Sequence, residues 1–295
     1  MLPLVSAEQP VPLAQRARRV PVGVWLSLVV LVVIVLAAAL ADQLAPHSPY
    51  QQSLARRLIP PAWEPDGDVR FLLGTDHLGR DVLSRMLYGA RVSLSLAIFA
   101  VIIGTLLGCL LGLVAGYFGG AVDEVIGAVA DIQLAFPFVL LAIAVIAVVG
   151  PGYLTLVVLV GISGWVTYTR VSRSLVLSLR EREFVTAVRV LGGSDVRILF
   201  KHILPNTLSA IVAVATIDLA RVIVLESSLS FLGFGVQPPE PSWGGMLGEG
   251  RLFLDSGAWW ISTFPGLAIV LTTIAVSRAG DWLHDVLDPT AHAHQ

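Results

Sequence analysis

The sequence is poor in charged residues. Only 14% of its 295 residues are Asp, Glu, Lys or Arg, whereas charged residues make up about 25% of soluble domains. Hydrophobic residues account for 56% of the chain, and the mean hydropathy is +0.81. A chain this apolar cannot form an ordinary water-facing surface, so we conclude that it is an integral membrane protein. The net charge of -2 also lacks the basic excess that nucleic-acid binding needs.

Cysteine and lysine are almost absent. Cys109 is the only cysteine and lies in an apolar run, which excludes a disulfide within the chain and argues against a cysteine-based metal site. Lys201 is the only lysine and stands in Leu-Phe-Lys-His-Ile. The chain therefore has no Walker A phosphate loop, which needs glycines followed by lysine. We expect no cofactor in this chain, and any ATP has to be hydrolysed by another subunit.

Long uncharged runs predict six membrane spans. The first, residues 22–41, has the length of a retained anchor, although Ala39-Leu40-Ala41 would also suit a signal-peptidase site. The second lies in 92–122 and ends near Gly116, and Asp123, Glu124 and Asp131 mark a short loop after it. Gly150-Pro151-Gly152 is expected to turn the chain. The remaining spans are predicted near 134–149, 153–169, 207–225 and 257–277.

Two polar features near these spans have competing interpretations. Asp76, His77 and Asp81, in a proline-rich segment before the second span, suit either a metal site or turns and helix caps, and we favour turns and caps. Asp218 and Arg221 lie inside the fifth apolar segment, three residues apart on one helix face. They are expected either to neutralise each other or to line a water-filled translocation path.

The stretch from Arg180 to Asn206 is a charged, amphipathic segment between two apolar segments. Apolar residues at helical spacing predict a helix up to Leu191, and Gly192-Gly193 then ends it. Ser194-Asp195 suits the start of a second helix, which we expect Pro205 to end. A short exposed helix with an apolar face is expected to dock on another surface.

This stretch resembles the EAA loop of permease subunits of ATP-binding-cassette (ABC) importers. Thr186-Ala187-Val188 stands where the family has Glu-Ala-Ala, followed at the family spacing by Gly192 and Ile203-Leu204-Pro205. The resemblance implies a cytoplasmic coupling helix that seats in the ATPase subunit. Its candidate coupling residues are Arg182, Glu183, Thr186, Ala187, Arg189, Gly192, Asp195 and Pro205.

A second resemblance is narrower. The run LGTDHLGRDVLSRMLYGAR at 73–91 and the segments at 226–235 and 238–244 are similar to the dipeptide/oligopeptide class of ABC permeases. The class implies a bacterial plasma-membrane protein that forms half of a path for di- or oligopeptides. It also implies a homologous but different permease chain as partner in a heterodimer, two ATPase subunits that bind ATP and Mg, and an extracytoplasmic solute-binding protein. Nickel and glutathione importers share the class, so the substrate stays open.

The expected fold is an all-α polytopic type I ABC importer transmembrane domain with six spans. Basic residues favour both termini on the inner side. The predicted parts are a cytoplasmic tail at 1–21, an anchor at 22–41, an extracytoplasmic segment at 42–91, a permease domain at 92–278 with a coupling loop at 180–206, and a cytoplasmic tail at 279–295.

Two other classes of protein remain as alternatives. A secondary transporter is expected to carry more ionisable groups within its spans than Asp218 and Arg221, or paired broken helices. A membrane-embedded enzyme needs a nucleophile with a base, or a cluster of ligands on adjacent spans. All six histidines fall outside the predicted spans, which argues against such an enzyme.

Overall fold

The computed structural model describes residues 20–287, and side chains up to 286. The predicted tail with Arg16, Arg18 and Arg19, and the chain from Asp288 onward, lie outside the described residues. The described part is almost entirely helical, with one isolated bridge between Thr75 and Asp81. Its helices are α1 Val22–Ala39, α2 Ala41–Leu44, α3 Val82–Phe118, α4 Gly120–Ala135, α5 Phe138–Val149, α6 Tyr153–Leu179, α7 Glu183–Val190, α8 Asp195–Arg197, α9 Leu204–Phe231, α10 Trp243–Arg251 and α11 Trp260–Leu287.

Five helices are long and apolar enough to cross a membrane. They are α1, α3, α6, the continuous helix that joins α8 to α9, and α11. The bent pair of α4 and α5 provides a sixth span if it is counted as one. The predicted all-α polytopic fold is therefore confirmed.

The packing of α3 against α6 forms the spine of the bundle. Four glycines of α3 recur at every fourth position and face α6. A Cβ atom on Gly108 would lie 2.3 Å from the Trp165 carbonyl oxygen, and one on Gly112 would lie 2.5 Å from that of Thr169. Only glycine permits this close approach, which lets membrane helices gain dispersion contacts where no hydrophobic effect drives them together. The four glycines are Gly104, Gly108, Gly112 and Gly116.

Two helices extend beyond the predicted spans. Helix α3 begins at Val82 rather than near residue 92. It includes Arg85, which pairs with Asp76 and Glu249, and Arg91, which pairs with Asp42. Helix α11 likewise continues beyond the predicted end at 277 as far as Leu287.

The predicted loop at Asp123, Glu124 and Asp131 is also wrong, since these residues lie in α4. Asp123 and Asp131 form ion pairs with Arg173 and Arg170 of α6, at 2.5 and 3.0 Å. The axes of α4 and α5 meet at 87°. Because α5 has only 12 residues, it is about 18 Å long and cannot cross a hydrocarbon core of about 30 Å alone. Residues 134–149 therefore do not form a span by themselves, and a third span requires α4 and α5 together.

The polar segments occupy opposite ends of the bundle. At the end where α3 begins, the indole N–H of Trp260 donates to the carbonyl of Thr75 (3.0 Å), and that of Trp243 donates to the carbonyl of Met86 (3.0 Å). These bonds hold the proline-rich segment and α10 against the ends of α3 and α11. At the end where α3 finishes, α7 and α8 form the predicted helical hairpin.

Candidate functional site

The hairpin of α7 and α8 turns on two glycines. Gly192 has φ +81°, a left-handed conformation that disfavours residues with a side chain. The amide of Gly192 donates to the carbonyl of Arg189 (3.0 Å), and that of Gly193 to the carbonyl of Val188 (2.9 Å). The hydroxyl of Ser194 then accepts from the amide of Arg197 and starts α8. The predicted helix, glycine turn and second helix are all present.

One face of the hairpin packs on its own chain. Val185 is fully buried, and Val188 packs beside it against Ile198, Leu199 and Ile203. Packing on its own chain therefore accounts for this face of the hairpin.

The other face and the tip remain uncovered. Val190 and Leu191 are 82% and 86% exposed, and Val196 across the turn is 66% exposed. Apolar side chains gathered on an exposed tip are typical of a surface that binds another protein. The predicted coupling residues at the start of α7 and along it are all exposed. They are Arg182, Glu183, Thr186, Ala187 and Arg189. Sequence reasoning missed Val190 and Val196, whose exposure depends on how the hairpin is oriented.

The end of α3 holds the hairpin in place. The hydroxyl of Tyr117 donates to Asp195 (2.5 Å), and the guanidinium of Arg189 lies 6.0 Å from the centre of the Tyr117 ring. Arg180 donates to the carbonyl of Gly116 (2.9 Å). Tyr117 was not among the predicted site residues, although an aromatic residue beside the helix-ending Gly119 marks this end of α3 in the sequence.

Pro205 does not end the second helix, contrary to the prediction. It lies in the first turn of α9, and a π-helical turn at Ile198–Ile203 joins α8 to α9 without a break. The first turn of a helix tolerates proline because its missing N–H would be unpaired there. Pro205 is exposed, but it is not part of the tip.

Asp218 and Arg221 form the predicted pair in α9. The Nε atom of Arg221 lies 2.5 Å from Asp218 Oδ1, and the hydroxyl of Tyr168 in α6 donates to Asp218 Oδ2 (2.9 Å). Asp218 is buried, whereas the side chain of Arg221 is 50% exposed. Mutual neutralisation is therefore present, and a role in the path stays a prediction.

A buried ion cluster lies at the opposite end. Asp76 pairs with Arg80 (2.6 Å) and with Arg85, and both arginines also pair with Glu249, at 2.9 and 3.1 Å. Burial raises the pKa of Asp76, but the guanidinium groups of Arg85 and Arg80 outweigh it and lower the pKa overall. Asp81 caps α3 by accepting from the amide of Ser84 (2.9 Å).

Asp81 thus serves as the expected helix cap, and Asp76 Oδ1 accepts from the amides of Leu78 and Arg80, as expected for a turn. Asp76, His77 and Glu249 come close enough to hold a metal ion. However, a metal ion would have to displace the arginines that already bind both carboxylates. The ring of His77 is instead stacked on Phe253, with 5.1 Å between centroids.

Two family profiles match the chain. "Binding-protein-dependent transport system inner membrane component" matches residues 104–292. "N-terminal TM domain of oligopeptide transport permease C" matches residues 22–61.

Full-length relatives are similar over most of their own length. The dipeptide transport system permease protein DppC of Escherichia coli K12 is 43% identical over 267 residues, covering 90% of this chain and 89% of the relative. The di/tripeptide transport system permease protein DppC of Pseudomonas aeruginosa UCBPP-PA14 is 41% identical over 262 residues, covering 89% and 86%. A structure of the inward-facing MetNI methionine ABC transporter matches 69% of this chain and 96% of that chain, with a TM-score of 0.54 and 19% identity. That likeness concerns the fold.

Proposed function

The chain belongs to the family of binding-protein-dependent transport system inner membrane components, and from this premise we propose that it forms half of the path of an ABC importer for di- or oligopeptides. It is a multi-pass, non-catalytic permease subunit of the bacterial inner membrane. We infer a peptide substrate because the chain is 41% and 43% identical to two peptide permeases over about nine tenths of its length.

The hairpin is the part of this chain that we assign to energy coupling. Its exposed apolar tip, Val190, Leu191 and Val196, would insert into a groove of an ATPase subunit, and the surrounding charged residues would orient it. This assignment extends to Arg182, Glu183, Thr186, Ala187, Arg189, Gly192 and Asp195. Tyr117 would transmit movement of the hairpin to α3, because it contacts both Asp195 and Arg189.

The assembly that this proposal requires has three kinds of member besides this chain. A homologous permease, expected to be a different chain, would supply the other half of the path. Two ATPase subunits would bind ATP and Mg, since this chain has no phosphate loop. A solute-binding protein would deliver the peptide at the end where the proline-rich segment and α10 lie. ATP would drive alternating access by binding one conformation of the ATPases better than the other.

The proposal is tested by purification followed by transport. A tagged chain, solubilised in mild detergent, should copurify with a second permease and with ATPases that carry phosphate loops. That complex, in liposomes with ATP inside and binding protein outside, should take up a labelled dipeptide. The same liposomes are then offered nickel or glutathione, each with the binding protein that is encoded nearest to the gene for this chain.

Two results would contradict parts of the proposal. Nickel or glutathione uptake without peptide uptake would correct the substrate but keep the importer. Recovery of this chain alone, under conditions that preserve another ABC complex, would favour the ATP-independent secondary transporter.

A further inference from the structure

Arg221 has an unusual position for a charged residue. It lies in the middle third of α9, a helix that qualifies as a membrane span, and its side chain is half exposed. Two neighbours on the same face, Ile217 and Val224, are also exposed. The helices of this chain therefore leave this face of α9 uncovered.

Only part of the Arg221 guanidinium is used within the described residues. Its Nε atom donates to Asp218, and no other acceptor there binds its two terminal nitrogens. Asp218 is itself fixed by Tyr168. Behind the pair, Nη2 lies 3.6 Å from the position that a Cβ atom on Gly164 would occupy. The pair thus rests against α6, and the open edge of the guanidinium, formed by its two terminal nitrogens, has no acceptor within the described residues.

An arginine in this position cannot face lipid without a large cost. Ionisable side chains within membrane spans face water-filled cavities or partners, because hydrocarbon cannot solvate their charge. The open edge carries two parallel N–H donors, which is the geometry that binds a carboxylate in bidentate fashion. A peptide has one such group at its C-terminus.

We propose that the terminal nitrogens of Arg221 bind the C-terminal carboxylate of the peptide as it crosses the membrane, while Asp218 and Tyr168 position the guanidinium. This inference rests on the proposed function and adds a solute contact to it. Because Asp218 already balances the charge of Arg221, the contact is weak enough to release the peptide.

The first experiment measures uptake by the complete complex in liposomes with loaded binding protein. Arg221→Gln should lower dipeptide uptake about tenfold or more, the effect of losing charge-assisted hydrogen bonds. Arg221→Lys, which keeps the charge, should restore part of it. The double variant Asp218→Asn with Arg221→Gln is the matched control, because it removes the pair without leaving an unbalanced charge.

The double variant decides between a solute contact and simple neutralisation. It should remain as defective as Arg221→Gln, while ATP hydrolysis stimulated by the binding protein is retained in both. Recovery of uptake in the double variant would overturn the proposal, since neutralisation alone would then explain the pair.

A second experiment tests whether Arg221 faces water. Cys109→Ala gives a background without cysteine, in which Arg221→Cys is treated with an anionic, membrane-impermeant thiol reagent. Labelling should occur if position 221 faces water. Val32→Cys in α1, which is 55% exposed, is the control on a lipid-facing helix and should not react.

The outcomes separate failure of this inference from failure of the proposed function. No labelling at position 221, where the complex with Arg221 transports dipeptide, would overturn the inference alone. Absence of dipeptide uptake by the unmodified complex would overturn the proposed function, and with it the carboxylate contact.

Discussion

Asp76 is the residue on which the buried ion cluster depends. Its carboxylate pairs with both Arg80 and Arg85, which are 3% exposed. Asp76→Asn leaves two buried cations with only Glu249, and removing one partner of a buried pair costs about 3–5 kcal/mol. We expect the purified complex to unfold at a lower temperature in detergent, as measured by differential scanning fluorimetry.

An exposed ion pair provides the matched control. Asp68 and Arg70 lie 2.5 Å apart in the same segment, but they are in water, where such pairs contribute little. Asp68→Asn should therefore leave the unfolding temperature unchanged. An equal decrease in both variants would show that burial does not set the strength of the cluster.

The cluster also predicts a pH dependence. The pKa of Asp76 is raised by burial but lowered overall by Arg85 and Arg80. The charged form is therefore favoured in the folded protein. Its contribution to stability is present above the ordinary carboxyl pKa of about 4 and is lost as the pH falls through the lower folded value. The difference in unfolding temperature between the native protein and Asp76→Asn should shrink in that acid range.

The sequence predicts contacts between neighbouring residues better than contacts across the fold. The pairing of Asp218 with Arg221 follows from helical spacing alone. Their partner Tyr168 lies in another helix, and so does Tyr117, the partner of Asp195. No local pattern reveals either contact, because each tyrosine meets its partner only through packing between helices.

At the scale of elements, the glycine turn of the hairpin makes the most specific prediction. Gly192→Val should abolish coupled transport, because a non-glycine residue in the left-handed conformation costs about 1–2 kcal/mol and a β-branched one disfavours it further. A Cβ atom at this position would meet nothing within 4 Å, so the effect comes from the backbone. Peptide uptake and ATP hydrolysis stimulated by the binding protein should both fall, while the membrane content of the protein stays normal.

Gly192→Asn is the control for that prediction. Asparagine tolerates the left-handed conformation and often ends helices. The Gly192→Asn protein should therefore retain most of the peptide uptake. Wild-type activity of Gly192→Val would refute a coupling role for the turn.

The elements that the sequence predicts well are bounded by glycine. Gly119, Gly150 and Gly192 all have positive φ and end helices at the places expected. The errors arise where charge or proline was read as a break. Asp123 and Asp131 are paired from α6, and Pro205 enters at a helix start. Local signals of this kind cannot reveal a partner on another helix.

At the scale of the whole molecule, α1 is the most weakly embedded span. Only 17% of its residues are buried, and it packs on α3 and α11. Its outer end is held by Arg91, which donates to the carbonyl of Ala38 (3.1 Å) and pairs with Asp42. The main core cluster draws mostly on other helices, with Ala38 as the one fully buried member from α1. We infer that α1 contributes more to the orientation of the chain in the membrane than to the stability of the fold.

Replacing α1 by an unrelated cleavable signal sequence tests that inference. Deletion of residues 1–44 alone should prevent correct insertion, because the proline-rich segment would then have no span to carry it across the membrane. With the signal sequence, that segment reaches the outer side and the remaining spans keep their predicted orientation. The processed protein should unfold within a few degrees of the full chain, because the main core cluster loses only one buried residue, Ala38. An aggregated product after correct processing would instead show that α1 is part of the core.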